Sequence, residues 1–291
     1  LTKTLAGIYA TAMVAVATDH GIAFLVANDR LLAKLEQRGI VRAAQVKLYV
    51  NAVGTNSAHK YICRRPDFSS PAALAAKRAF AQTELSAHDI DYAWIYDCFT
   101  LMLVRQAADY FGIDAQAAAN SLKNGMISVG GKDIPVNRQG GILNTQAAIA
   151  LSAATGLIDI MAYATENPQA KNFLFGGNGG IDTTNAVALL SREPNERKQA
   201  VLPAMPQQLT DLQALTENEV LTLYAAVPVR FNPGSEVPFA LGAFRRQDET
   251  LCLARIVDTD LKAITDVASL RRDKAQFTVR LIDGRPFAMT R

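Results

Sequence analysis

Short apolar runs alternate with stretches of helical period through the first two thirds of the sequence, and period-two patterning replaces them near the C-terminus. Residues 18–27 predict a turn followed by a buried strand, and a helix runs from about Asp29 to Gln37 and ends near Gly39. Residues 44–50 predict another strand, with Gly54-Thr55-Asn56-Ser57 as a polar loop behind it. Pro71 opens an Ala-rich helix that reaches about Gln82. Ala93-Trp94-Ile95 leads as a strand into Tyr96-Asp97-Cys98-Phe99-Thr100, and helical spacing of apolar residues continues to Phe111, before Gly112. Residues 120–139 are glycine-rich and predict a loop; an Ala-rich helix follows from about Thr145 to Thr165. A strand at 172–176 then enters the cluster Gly176-Gly177-Asn178-Gly179-Gly180, and 186–190 predicts one more strand. This alternation predicts an α/β class.

The pattern changes at Arg192-Glu193-Pro194-Asn195-Glu196-Arg197-Lys198-Gln199, a charged stretch continued by Pro203 and Pro206. We therefore expect one domain over 1–194, a linker over 195–215 and a second domain over 216–291. Short strands at 220–225, 239–244, 251–256 and 276–282 are punctuated by Asn232-Pro233-Gly234 and Asp283-Gly284-Arg285-Pro286, which predicts a small barrel.

Composition narrows the options modestly. With 291 residues, 49% hydrophobic and 20% charged, the chain has the material for two globular domains. The net charge of +3 comes from scattered Lys and Arg, which argues against nucleic acid and suits a small anionic ligand. Three widely separated cysteines, Cys63, Cys98 and Cys252, suggest neither a disulfide framework nor a zinc site, so no metal is expected and a reducing cytoplasmic compartment is. Residues 4–16 are apolar but lack a basic segment before them, and no run approaches the roughly 20 residues of a membrane span. The sequence starts at Leu1 rather than Met, which fits a fragment of a longer protein.

The chemistry-bearing stretch is Tyr96-Asp97 at a strand-to-helix turn, where side chains and free helix amides converge on ligands. A buried Tyr with an Asp capping the following helix explains the same residues. Cys98 reads as a small buried residue, and His20 and His88 as turn residues.

In order and spacing these stretches resemble the thiolase superfamily over roughly residues 18–192, specifically the C-terminal half of sterol-carrier-protein-type thiolases and thiolase-like side-chain aldolases. Asp19-His20-Gly21-Ile22-Ala23 is similar to the family's Asp-Gly-Ala-Ala strand. Tyr96-Asp97-Cys98-Phe99-Thr100 is similar to its His-Asp-Cys-Phe motif, Asn137 with Gly140-Gly141 to its Asn-x-x-Gly-Gly element, and the 176–180 cluster to its terminal glycine-rich segment. The C-terminal region resembles the OB-fold domain that accompanies such proteins. The fold implied is a layered α/β thiolase-like domain without most of its N-terminal half, followed by an OB-type β-barrel.

The resemblance implies an acyl-CoA thioester as substrate, no bound cofactor, and an acyltransferase or aldolase/lyase that breaks or makes a carbon–carbon bond. It makes Tyr96 the acid/base or oxyanion donor and Asp97 its orienter. Asn137, Gly140, Gly141, Asn144, Gly176, Gly177, Asn178 and Gly179 shape the thioester pocket, and His59 with Lys60, Arg64 and Arg65 either meets the CoA phosphates or forms a solvated loop. It implies a homodimer or a hetero-oligomer with another thiolase-like chain. Two departures stand out: Ala147 occupies the family's catalytic His position, and the Cys expected near the last glycines is absent. They leave a second reading open, a non-catalytic scaffold that docks or gates a catalytic thiolase partner.

Overall fold

The computed structural model describes residues 4–6, 9–10, 13–41, 46–58, 70–148, 151–180, 182–194, 214–229, 239–256, 275–282 and 285–290. They fall into two compact units, Ala12–Ala58 with Ser70–Ala204, and Leu1–Thr11 with His59–Ser69 and Met205–Arg291.

The chain opens on the antiparallel pair β1 (Thr4–Ala6) and β2 (Tyr9–Ala10), in the second of these units. The first unit then contains α1 (Asp29–Gln37), β3 (Tyr49–Ser57), α2 (Ala72–Phe80), β4 (Tyr92–Ile95), α3 (Thr100–Phe111) and α4 (Ala115–Leu122). The hairpin β5 (Met126–Val129) and β6 (Lys132–Pro135) follows, then α5 (Gly141–Thr145), α6 (Ala154–Glu166), β7 (Asn172–Gly179) and β8 (Thr184–Ser191). Its sheet runs β3-β8-β7-β4, with β4 parallel to β7 and the other pairs antiparallel.

Strand β4 ends the sheet beside β7 and is still buried on both faces, because a core packs against each of them. Ala93 and Ile95 point into a core shared with α2, α3 and α4, whereas Tyr92 and Trp94 point into a second core with Ile160 and Ala164 of α6. Alanines 72, 75, 76 and 79 give α2 one small-residue stripe, so its backbone lies against Gly54 of β3. A Cβ on Gly54 would overlap Ala75 O and Ala79 N. Helix α3 ends at Gly112 in the left-handed conformation at φ 64°, as the breaker in the sequence predicted.

Several expectations are corrected. Residues 21–28 form no strand, and Leu25 and Val26 are exposed, because the sheet offers this segment no partner. Gly54-Thr55-Asn56-Ser57 is strand rather than loop: β8 pairs with it through Ser57, and exposed polar positions are ordinary on an edge strand. The supposed loop at 120–139 holds the end of α4 and a hairpin whose turn is Gly130-Gly131. The helix expected from about Thr145 to Thr165 starts only at Ala154, because α5 ends at Thr145 and Gln146 follows it at φ 68°. Most of the expected linker and all of His59, Lys60, Cys63, Arg64 and Arg65 lie outside the described residues.

In the second unit β9 (Val220–Val229), β10 (Phe239–Arg245), β11 (Leu251–Ile256), β12 (Gln276–Ile282) and β13 (Arg285–Thr290) close a barrel in the order β10-β11-β13-β12-β9. Only β11 and β13 pair in parallel among its strands. Three meandering strands and a parallel third-to-fifth pairing make this an OB-type barrel. Its interior is filled by Leu221, Leu223, Ile256 and Val279 around Phe244 and Phe277, whose rings meet edge-on at 5.2 Å. Arg285 and Pro286, expected in the turn at 283–286, instead open β13, where Arg285 pairs with Ile282 and Pro286 with Leu281 of β12.

Candidate active site

Three segments distant in sequence meet at the ends of β4 and β7. After Ile95 the chain leaves the strand, and the Tyr96 amide donates to Gly176 O at 3.0 Å. Asp97 then turns inward and is only 2% exposed. Its Oδ1 accepts from the Ile142 amide at 2.7 Å, and the Leu143 amide and the Asn137 side chain also donate to it. Asp97 is therefore a cap, but of α5 rather than of the helix that follows it, whose N-cap position is held by Phe99. Burial pushes its carboxyl up to about 6 while those donors pull it down.

Gly141 sits at φ 61°, and a Cβ there would lie 2.6 Å from Asp97 Cγ and 2.7 Å from Asn137 Nδ2. Glycine is thus required twice, for the backbone conformation and for the approach of the carboxylate. Asn137, at φ 47°, donates from its amide to Ile95 O and accepts from Ile95 N, both at 2.8 Å, so its side chain continues the sheet beyond β4. Gly140 is the left-handed N-cap of α5, and Asn144 closes the same turn by donating to Gln139 O at 2.9 Å.

The Tyr96 phenol is half-buried and meets Ser152, and its ring lies edge-on to Trp94 at 6.4 Å. Its partner is thus Ser152, whereas Asp97 is engaged with α5. Burial first, then Cys98 and Asp97, raise the phenol above its ordinary value and keep it a hydrogen-bond donor. The Cys98 thiol is pushed up to about 11 by burial and by the charge of Asp97. Ala147 faces no imidazole's task; its amide and carbonyl are taken up by Val16 O and the Thr18 amide, at 2.8 and 2.9 Å.

Gly176, Gly177, Asn178 and Gly179 all lie within β7 and not in a loop. Gly176 carries the ring of Tyr110, and Gly177 and Gly179 are unconstrained by neighbours at their Cα. Asn178 Nδ2 and Thr100 Oγ1 are buried polar atoms without a hydrogen-bond partner among the described residues. Among the described residues no group of three or more His, Cys, Asp or Glu could hold a metal ion, and no helix is long and apolar enough to cross a membrane.

The sequence reading missed Tyr92, Gln106, Tyr110, Asp159 and Asn185. Tyr92 donates to Asp159 at 2.8 Å and accepts from the Arg138 amide at 2.9 Å, fastening the turn before α5 from the α6 side. A polar Gln106 inside an apolar helical run, four residues before Tyr110, was the available signal.

The comparisons agree with this architecture. Residues 54–192 match the model of the family described as thiolase C-terminal domain-like. A crystal structure of a monomeric SCP2-thiolase-like protein type 1 from Mycobacterium smegmatis is similar at a TM-score of 0.61 and 17% identity, covering 84% of this chain and 51% of that one. The present chain thus spans about half the length of that neighbour. The Ltp2–ChsH2(DUF35) aldolase is similar at a TM-score of 0.40 and 20% identity, over 50% of this chain and 39% of that one. A comparison with curated proteins finds no match. Residues 54–192 thus match a thiolase C-terminal domain-like family, and an OB-type barrel follows them in the same chain.

Proposed function

We propose that this chain serves in a cytoplasmic thiolase-superfamily enzyme that cleaves or forms a carbon–carbon bond in an acyl-CoA thioester, as a homodimer or together with another thiolase-like chain. The observation that carries the reading is the convergence of the Tyr96-Asp97 turn on both glycine elements, through the Tyr96 amide on Gly176 and the Asp97 carboxylate on Ile142. Tyr96, protonated and half-buried beside Ser152, would donate to the thioester oxygen as negative charge develops there. Asp97 and Asn137 would hold the turn that forms the pocket wall. Thr100 Oγ1 and Asn178 Nδ2 supply buried polar atoms that have no hydrogen-bond partner among the described residues.

The test is to incubate the protein with a panel of β-hydroxyacyl-CoA and β-ketoacyl-CoA thioesters and to follow released CoA, aldehyde or ketone. Tyr96→Phe is expected to lower turnover on the order of 100-fold. A fully active Tyr96→Phe enzyme sinks the assignment.

A second reading, the scaffold, is favoured by one observation. The described residues at the site offer neither an imidazole nor a thiolate, since Ala147 is engaged through its backbone and the Cys98 thiol is raised to about 11. Copurification separates the two: an active homo-oligomer excludes the scaffold, and a stable complex with a Cys-bearing thiolase chain, itself inactive when Tyr96 is intact but the partner's Cys is lost, supports it.

A further inference from the structure

Gln106 lies two turns into α3 with no solvent exposure, so its amide must find its partners inside the protein. Its Nε2 donates to Tyr96 O at 2.8 Å and to Met102 O at 3.2 Å. Its Oε1 accepts from the Tyr110 hydroxyl at 2.9 Å, one helical turn further on. The same hydroxyl lies 2.8 Å from Asn185 Oδ1 on β8, and its single proton is shared between the two acceptors. Asn185 Nδ2 in turn donates to Asp182 Oδ1 at 3.2 Å, in the turn between β7 and β8.

These contacts close on themselves. The ring of Tyr110 rests on Gly176, where a Cβ would be 2.9 Å from its Cζ. Gly176 O receives the Tyr96 amide at 3.0 Å. Tyr96 is therefore held at its N–H through Gly176 and at its C=O through Gln106, and both holds meet at Tyr110. Met102 O alone could occupy one Gln106 donor, as polar helix residues often do. The reach across to Tyr96 instead satisfies a carbonyl that has left the strand ladder.

We propose that Gln106, Tyr110 and Asn185 are positioning residues that fix the Tyr96 peptide, and through it the phenol, at the mouth of the candidate site. The proposal rests on the reading of Tyr96 as the acting group, and its test is separable from that reading. Trp94 is the only tryptophan in the sequence, and its ring lies edge-on to Tyr96 at 6.4 Å. Ionisation of Tyr96 in an alkaline titration quenches Trp94 emission, and the Tyr96→Phe variant identifies the component that Tyr96 contributes.

In Gln106→Leu and in Tyr110→Phe the midpoint of that component should fall by about half a pH unit or more, because a loosened phenol regains solvent. Phe111→Leu, a core change on the same helix, should lower the melting temperature without moving the midpoint. Tyr110→Phe keeps the ring on Gly176 and removes only the hydroxyl, so it carries the test should Gln106→Leu fail to fold. An unchanged midpoint in the folded variants overturns the proposal. With β-hydroxyacyl-CoA, kcat should fall about tenfold or more at nearly constant KM. A wild-type protein with no turnover overturns the proposed function, and the Trp94 titration still decides the positioning role.

Discussion

Asp97 accepts a 2.7 Å hydrogen bond from the amide of Ile142, 45 residues further along the chain, and this bond joins the end of β4 to the start of α5. The carboxylate is almost fully buried, and burial outweighs its hydrogen-bond donors, so its folded value of about 6 lies above the ordinary 3.8. A folded value raised above the unfolded one means that ionisation opposes folding. The contribution of Asp97 is full below the unfolded value and is lost as pH rises through about 6.

Urea denaturation of wild type and Asp97→Asn at a series of pH values tests that sign. The wild type should lose stability relative to the variant between about pH 4 and pH 7, by on the order of 3 kcal/mol. A gap that stays flat over that range would show that the carboxylate is not buried as described.

Gly141 and Gly177 belong to the two glycine elements, yet they should respond oppositely to alanine. At Gly141 the new Cβ meets Asp97 and Asn137 at a positive φ, and Gly141→Ala should cost about 2–4 kcal/mol or prevent folding. At Gly177 the nearest atom to a Cβ is Ala186 O at 3.9 Å, and Gly177→Ala should change stability by less than about 1 kcal/mol. Thermal melts of both variants decide it; equal effects would contradict the geometry.

That contrast explains what could be read from the sequence. The helix at 29–37, the strand leading to Tyr96 and the helix closed by Gly112 follow from local signals of period and capping. The Tyr96-Asp97, Asn137-Gly140-Gly141 and 176–180 elements, singled out by their order, come together in the fold. The pairings that build it were not legible, because they depend on contacts far apart in sequence. Asp97 looks like a cap for the next helix and caps α5 instead. Asn137 looks like a pocket residue, but its amide is spent on Ile95. The polar strand at 54–57 and the proline-bearing β13 run against strand propensity and are held by their partners.

Tyr92 and Asp159 should be energetically coupled. The Tyr92 hydroxyl is fully buried between the Asp159 carboxylate and the Arg138 amide, so Tyr92→Phe leaves two groups unsatisfied and should cost about 1–3 kcal/mol. Adding Asp159→Leu should cost less than the sum of the single changes, by about 1 kcal/mol. Additive losses in a double-mutant cycle would remove Asp159 from the anchoring of the 138–140 turn.

Cys98 lies within the Tyr96-Asp97 turn, and its chemistry invites the role of nucleophile. Its thiol stands at about 11 against an ordinary 9.0, with burial as the larger cause and the Asp97 charge as the second. Near neutral pH it should therefore react with iodoacetamide roughly 100-fold more slowly than an unperturbed thiol, because the thiolate is the reacting form. Labelling in a Cys63→Ser, Cys252→Ser background isolates Cys98 for the measurement. The companion expectation is that Cys98→Ala keeps any acyl-CoA turnover within about threefold of wild type, since a protonated thiol supplies no nucleophile. Rapid labelling at neutral pH together with abolished turnover in Cys98→Ala would make Cys98 the acyl acceptor and move Tyr96 to a supporting part.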